Sequence, residues 1–479
     1  MTACPPVTAD APAGAGEALA ELLGVTLDAL RDGAQRRAGP LPAGGPEAVA
    51  RAVARAGGGA LLPEEGVGAE RALGALVRAF AAGSADPGDP FCAAHLHCPP
   101  LAVAVAADLA AAVLNASLDS WDQGPAAIAV EDEVLATLAG LAGLDPGCAT
   151  GAMTSGATAS NLTALHLARE HAGAHVGIFC SELAHFSVAR AAGILGIGED
   201  AVTRVAVDGD RRMCTGELDA ALAACGRPAV VVATAGTTDF GSIDPLRAVA
   251  RVACRHGAWL HVDAAYGGGA LLSRRLAGLL DGLAQADSIG MDLHKLGWQP
   301  VAAGVLLVRD RALLAPLQRR VEVRHAALQR RVAYLNAADD EAAGYLSMLG
   351  RSLRTTRRAD ALKLAVSLRA LGRDGLGALV DACHDLARHA AATIAAHPRL
   401  ELDAEPVLAS VVFGHRAGDA VNAALRRRLL REGRAVVGRT EAAGRVRLKL
   451  TLLNPHARPA DVDALLAAIV DAGDREAAA

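Results

Sequence analysis

Six short apolar runs punctuate the stretch from about residue 175 to 310: "HVGIFC", "AVTRVAV", "AVVVATAG", "AWLHVDAAY", "SIGMDLH" and "GVLLVRD". Helical stretches separate them. A brief apolar, β-branched run reads as a strand buried on both faces. Strands alternating with helices build a mostly parallel sheet covered by helices. The expected fold is therefore α/β, with a mostly parallel central sheet. In such sheets ligands bind outside the carboxyl ends of the strands, so residues that follow these runs are the first candidates for chemistry.

At 479 residues the chain has room for two or three domains. Residues 1–94 show helical patterns at Glu17–Leu30, Pro46–Ala56 and Ala69–Ala82, separated by Gly- and Pro-rich breaks, and read as an N-terminal helical segment. Residues 95–370 hold the α/β pattern and read as the large domain. Residues 371–479 carry the helix "LGALVDACHDLARHAAATIAAH", the strand "LASVVFGH", the helix "DAVNAALRRRLLREG", the strands "AVVG" and "VRLKLTLL" and a last helix, a smaller α+β C-terminal domain. The most membrane-like stretch, "LAVAVAADLAAAVLNASL", carries Asp108 near its middle and reads as a buried core helix. The N-terminus lacks a basic n-region and an apolar run, so no signal peptide is expected. A net charge of −5 gives no general attraction to nucleic acid or to an anionic membrane. Nine cysteines, an odd number without a CxxC pair, fit reduced thiols in a cytoplasm. Metal-ligand spacings such as HExxH are missing, so no metal is expected.

The chemistry shows in what the chain spends sparingly. Of its 47 basic residues only Lys295, Lys363 and Lys449 are lysines. Lys295 follows the run "SIGMDLH", at a strand's carboxyl end. A primary amine forms a Schiff base with an aldehyde and a guanidinium does not; on its own, Lys295 reads equally as a surface cation. Lys363 and Lys449 lie inside a helix and a strand and read as structural. Asp263, in "WLHVDAAYGGG", stands at another strand end, where a carboxylate can hold a protonated ring nitrogen; a neighbouring opposite charge shifts a pKa by roughly 1–3 units. Ala264 and Ala265 beside it are small enough for a flat ring to approach. In "TGAMTSGATASNLTAL", Gly156 and small polar residues precede a helix, whose first N–H groups can bind phosphate; alone, this reads as an ordinary N-cap. His294 can add a donor there. A lone histidine such as His185 reads first as a satisfied core residue, and in this company it also suits stacking on a ring. Thr237 and Thr238 follow another strand and can bond ring substituents or orient Asp263. Aromatics make up only 3% of the chain, and most of its Trp and Tyr residues lie beside these motifs. An aldehyde-reactive lysine, a carboxylate for a ring nitrogen, a stacking imidazole and a phosphate cradle together describe pyridoxal 5'-phosphate.

The motifs "HLHCPP", "DSWDQGPAA", "TSGATASNL", "AHFSV", "AGTTDFGSIDP", "WLHVDAAYGG", "DLHK", "TTRRADALK" and "LKLTLLNPHA" stand in order from about Pro90 to the C-terminus. With them the chain resembles the group II pyridoxal-phosphate-dependent amino-acid decarboxylases, most nearly the 2,4-diaminobutyrate branch. The resemblance implies a fold-type I, aspartate aminotransferase-like subunit and a homodimer with active sites shared between its chains. It implies Lys295 as the Schiff-base lysine, Asp263 as partner of the pyridine nitrogen, His185 stacked on one ring face and Ala265 on the other. It implies Ala157, Thr158 and His294 at the phosphate, Thr238 near the ring and Arg357 near the substrate carboxylate. Tyr334 matches the family's loop tyrosine, which returns a proton to the substrate carbon. Ala157 departs from the glycine frequent in close relatives, which matters only if the backbone there needs a positive φ. His95 and His97 fall near the substrate. Asp119 falls where aromatic-specific members place an apolar pocket residue from the neighbouring subunit. An acid there suits a cationic substrate side chain, and its other reading is a helix-surface carboxylate. The expected activity is decarboxylation of a basic or diamino L-amino acid. The alternatives are an aromatic or acidic amino acid, an aldehyde synthase or aminotransferase on the same fold, and a non-catalytic cofactor-binding protein.

Overall fold

The computed structural model describes residues 12–14, 16–56, 58, 60–173, 175–314, 317, 338–345 and 348–479. They form two compact units, residues 100–384 and residues 1–99 with 385–479.

The second of these begins with three helices, α1 (Gly16–Arg37), α2 (Gly45–Ala56) and α3 (Ala69–Gly83), and a two-residue strand, β1 (Cys92–Ala93). α1 and α3 touch backbone to backbone at Gly33, where an added Cβ would lie 2.6 Å from the Arg78 carbonyl. Only a residue without a side chain allows that approach.

Residues 100–384 open with α4 (Ala102–Leu114) and α5 (Pro125–Leu141). The sheet follows: β2 (Thr150–Thr154), β3 (Gly177–Ser181), β4 (Val202–Val205), β5 (Ala229–Thr234), β6 (Trp259–Ala264), β7 (Ser288–Asp292) and β8 (Gly304–Val308), in spatial order β2-β8-β7-β6-β5-β3-β4. Strands β4, β3, β5, β6 and β7 are mutually parallel, and β8 runs against both β7 and β2. This is the mixed, mostly parallel sheet of fold type I. All six apolar runs of the sequence became strands. β2 did not stand out, because the glycine and threonines of "TGAMT" read as loop.

Helices α6 (Ala157–Ala172), α7 (Ser187–Ile194), α8 (Thr215–Cys225) and α9 (Leu246–Arg255) connect the strands. α6 buries Leu165 and Ala168 in one cluster with Ile178, Val188, Val230 and Val232, and Ala164 and Leu167 in another with Leu306 and Val308. Each fully buried Val or Leu contributes about 1.5–3 kcal/mol, so α6 is clamped along its length and its first turn is a rigid platform. α4 departs from the expected core helix. It buries Ala104, Ala107 and Ala111 but exposes Val105, Leu109 and Leu114, the last by 75%. Its Asp108 is met by Arg358 Nη1 at 2.6 Å and by Lys363 Nζ at 3.1 Å, so Lys363 is a buried structural cation.

Helix α10 (Ala361–Ala396) bends at Gly372, which has φ 63°. Beyond it stand β9 (Leu400–Leu402), β10 (Ser410–His415), α11 (Asp419–Glu432), β11 (Val436–Ala442), β12 (Arg445–Thr451) and α12 (Pro459–Ala477). The second sheet runs β1-β11-β12-β10-β9, antiparallel except for β1 beside β11. Its core joins Phe413, Leu448 and Leu450 to Leu425, Leu429, Leu465 and Ile469 of the two helices.

Candidate active site

The carboxyl end of β7 carries the rare lysine. β7 stops at Asp292, and the turn that follows brings the Lys295 amine back to 2.9 Å from Asp292 Oδ2. The other oxygen of that carboxylate accepts the Ala157 backbone N–H at 2.7 Å. One buried acid thus holds the amine and ties down the first turn of α6, whose cap residue Gly156 offers no side chain of its own. His294 reaches the same acid, with Nε2 3.7 Å from Oδ2. Its Nδ1 accepts the Ala303 N–H at 3.2 Å, which leaves Nε2 as the nitrogen that carries the proton. Burial lowers the His294 pKa, and Asp292 opposes that shift.

Two glycines shape the space. A Cβ on Gly304 of β8 would lie 2.5 Å from the Cα and N of Gly156, so the loop before α6 lies directly on the strand. A Cβ on Gly156 would enter the gap between His294 and Asp292, 3.5 Å from the imidazole and 3.7 Å from the carboxylate. Ala157 itself is the first residue of α6, so its methyl costs nothing there.

The adjacent strand β6 supplies Asp263, which is 4% exposed. Its Oδ1 accepts the Ala265 N–H at 3.0 Å and its Oδ2 accepts the Asn161 amide at 2.8 Å. Ala265 is half-buried beside it and Ala264 fully buried. His185 stands just before α7, half-buried, with Nδ1 2.8 Å from Ser187 Oγ and its ring tilted against Phe186 at 4.1 Å. Burial lowers its pKa; Asp263 and Asp292 push the other way, and Lys295 adds to the lowering. His185 thus stands within electrostatic reach of Asp263, Asp292 and Lys295.

Thr237 is buried and spends its hydroxyl on Ser242, 2.8 Å away, so it shapes the turn after β5; Thr238 beside it is exposed. Thr158 is exposed on the first turn of α6. Asp119 is half-buried, accepts a hydrogen bond from Ser117 Oγ and holds the Met348 N–H with its backbone carbonyl at 3.1 Å. Close by in sequence, Trp121 meets Tyr345 edge to face at 5.1 Å. Arg357 is 4% exposed and gives Nη1 to both oxygens of the fully buried Glu131, at 2.6 and 2.8 Å. Its Nε and Nη2 have no hydrogen-bond partner among the described residues. His95 and His97 follow β1 in the other unit, both exposed. Tyr334 lies outside the described residues.

The donor set fits pyridoxal 5'-phosphate. Lys295 offers an amine to an aldehyde, Asp263 a carboxylate to a ring nitrogen and His185 a flat face. The α6 first turn with His294 Nε2 offers donors to phosphate oxygens, beside a gap that a Cβ at 156 would fill. Sequence reasoning missed two residues here. Asp292 carried one signal, an acid three positions before the key lysine. Asn161 carried another, a polar residue on the apolar inner face of a helix.

Comparison with known proteins agrees with this geometry. The pyridoxal-dependent decarboxylase conserved domain matches residues 86–416. The L-2,4-diaminobutyrate decarboxylase of Rhizobium meliloti (strain 1021) is 45% identical over 424 residues, covering 85% of this chain and 83% of that protein. The enzyme of the same name from Acinetobacter baumannii is 34% identical over 447 residues, covering 86% and 85%. Among solved structures, the glutamate decarboxylase domain of the diaminobutyrate-pyruvate transaminase and L-2,4-diaminobutyrate decarboxylase from Vibrio parahaemolyticus superposes with a TM-score of 0.82. It is 32% identical, with 96% of each chain covered.

Proposed function

The chain belongs to the pyridoxal-dependent decarboxylase family and is a PLP-dependent carboxy-lyase acting on an amino acid; from that premise we propose that its substrate is L-2,4-diaminobutyrate or a near diamino homologue. The observation that carries this reading is the 45% identity to a diaminobutyrate decarboxylase; Asp119, an acid at the position the family resemblance gives to a pocket residue, supports it. A carboxylate there pairs with the second ammonium of a diamino acid.

When bound, the cofactor supplies an electron sink for the pair released as carbon dioxide leaves. The protein's own residues hold and orient. Lys295 presents its amine to the aldehyde carbon, and Asp292, 2.9 Å away, takes up the positive charge of that amine in its protonated form. Asp263 holds the ring nitrogen, His185 covers one face of the ring and Ala265 leaves the other open to close packing. Thr158 and His294 receive the phosphate beside Ala157, whose N–H Asp292 already takes, and Thr238 lies at the ring's edge. Arg357, His95 and His97 act at the substrate; Arg357 does so through the two nitrogens that Glu131 does not take. Tyr334 returns the proton to the α-carbon. Apart from His95 and His97, the residues given these roles belong to the unit of residues 100–384.

We further propose that the protein is a cytoplasmic homodimer that shares its sites. The exposed face of α4, with Val105, Leu109 and Leu114, supports an apolar interface. Among the described residues no helix is long and apolar enough to cross a membrane, and eight cysteines form no disulfide.

A panel of amino acids assayed for carbon dioxide and amine tests the reading. L-2,4-diaminobutyrate is expected to lead, with one diamine and one carbon dioxide formed and neither ammonia nor peroxide. Asp119→Leu is expected to lower kcat/KM for it about tenfold to hundredfold, the worth of a charge-assisted hydrogen bond, and to change an aromatic substrate by no more than about twofold. Equal losses on both would remove the substrate argument. Lys295→Ala is expected to abolish the bound-cofactor absorbance near the visible edge; a surviving band would sink the lysine assignment.

A further inference from the structure

Beneath the cofactor-facing groups lies a buried polar chain that none of the assigned roles uses. Asn161, 1% exposed on α6, has every polar atom of its amide engaged. Its Nδ2 donates to Asp263 Oδ2 at 2.8 Å and to Ser187 Oγ at 3.0 Å, and its Oδ1 faces His261 Nε2 at 2.9 Å. His261 Nδ1 lies 2.9 Å from Ser288 Oγ, which receives the Trp259 indole N–H at 3.1 Å.

Donor logic fixes the direction of every link. A carboxylate only accepts, so the amide nitrogen, and not the oxygen, must face Asp263. The amide oxygen then requires a proton on His261 Nε2. That leaves Nδ1 of the neutral ring to accept from Ser288, whose oxygen takes the indole N–H. On the other branch Ser187 already accepts from Asn161. Its own hydrogen therefore goes to His185 Nδ1, which also receives the Ser187 backbone N–H at 3.3 Å. Nδ1 of His185 is thus an acceptor, and the proton of that ring sits on Nε2. Burial holds His261 well below the ordinary histidine range, in keeping with a neutral ring.

The neighbouring strand makes room for this amide. Gly290 of β7 pairs with Asp263 in the sheet, and a Cβ on it would lie 3.1 Å from Asn161 Oδ1 and 3.3 Å from Ser160 Cβ. A glycine there, in ordinary strand conformation, leaves space for the Asn161 head group.

We propose that Asn161 is a positioning residue that sets both cofactor-facing groups at once: it orients the Asp263 carboxylate directly and fixes the tautomer of His185 through Ser187. The two groups approach a ring from different sides, so a single amide sets the frame into which the ring must fit. The proposal rests on the assignment of Asp263 and His185 to the cofactor ring.

The test removes cofactor from the full-length holoenzyme and titrates pyridoxal 5'-phosphate back. Affinity and the absorbance spectrum of the bound form are followed in wild type, Asn161→Ala, Asp263→Asn and the double variant. Asn161→Ala is expected to weaken cofactor binding about tenfold to hundredfold, as befits a hydrogen bond to a charged group, and to alter the spectrum. In the Asp263→Asn background the same change is expected to cost a smaller factor than in wild type, because the route through Asp263 is cut and only the one through Ser187 and His185 remains. Gly290→Ala, whose methyl crowds the amide without altering its chemistry, is expected to shift affinity and spectrum in the same direction, and it carries the test if Asn161→Ala does not fold. A purely structural residue would lower the melting temperature and leave the spectrum alone, and that result overturns the proposal. So does an additive double variant. If Asp263→Asn changes affinity and spectrum while Asn161→Ala changes neither, the proposal alone fails. If Asp263→Asn also changes neither, the assignment of Asp263 falls and the proposal with it.

Discussion

Replacing Glu131 by alanine is expected to be among the most damaging single changes in residues 100–384. Glu131 is fully buried and Arg357 4% exposed, joined through Nη1 at 2.6 and 2.8 Å. The nearest other acid in sequence, Asp132, is taken by Arg351. Without Glu131, Arg357 keeps its charge in the interior with nothing to neutralise it. Breaking such a pair from one side costs about 3–5 kcal/mol. A unit the size of residues 100–384 unfolds with an entropy of about 0.6 kcal/mol per kelvin, so the melting temperature should fall by about 5–8 °C. Calorimetry and urea denaturation at fixed, saturating cofactor measure it. The pair itself is a poor stabiliser. Burial raises the Glu131 pKa above 4.5 even though Arg357 pulls it down. The folded state therefore holds the Glu131 proton more tightly than the unfolded one, and its contribution falls as pH rises above about 4.5 through the folded value. The uncharged double variant Glu131→Met with Arg357→Leu should accordingly recover stability to within about 1 kcal/mol of wild type, or exceed it. It should still lose turnover if Arg357 serves the substrate. A loss below about 1 kcal/mol for Glu131→Ala, or a double variant as unstable as the single one, would refute this reasoning.

The remaining predictions concern a buried acid and a tight glycine. Burial raises the Asp244 pKa to about 6, although the Met213 and Thr234 N–H groups, both at 2.8 Å, favour the carboxylate. A raised folded value means stability fully present below about 3.8 and lost as pH climbs through about 6, on the order of 3 kcal/mol in all. Urea midpoints at pH 4.5 and 7 should therefore show wild type losing ground to Asp244→Asn as pH rises; a constant gap would contradict it. Gly269→Ala would put a methyl 1.9 Å from the Leu296 carbonyl oxygen, next to Lys295. It should lower stability by about 3 kcal/mol or more and weaken the bound-cofactor absorbance. Gly278→Ala, with nothing within 4 Å, should stay within about 0.5 kcal/mol of wild type and serves as its control.

The strands of the large sheet were legible because apolar runs buried on both faces need no context to be recognised. The places of Lys295 and Asp263 at strand ends were legible because the strands before them were. Pairing was not. That β8 runs antiparallel depends on partners far along the chain, and β2 was hidden by its glycine and threonines. Asn161 sat in plain view within "TASNL", but what marks it is the set of atoms it touches, and these come from α7 and β6. Arg357 was placed at the substrate by resemblance; the structure adds Glu131, which no local pattern links to it. The apolar helix α4 looked like core because composition reports only that a surface avoids water, not which surface covers it.

The hydrogen bonds that build the site span 102 residues from Asn161 to Asp263 and 135 from Ala157 to Asp292. Contacts of such separation form late, after the entropy of closing long loops has been overcome. A nascent or refolding chain can therefore gain nearly all its helix content before it can retain a cofactor. Cofactor retention, more than helicity, reports that the sheet has closed in register, and a chain stalled short of that point would leave the vitamin free for its finished neighbours.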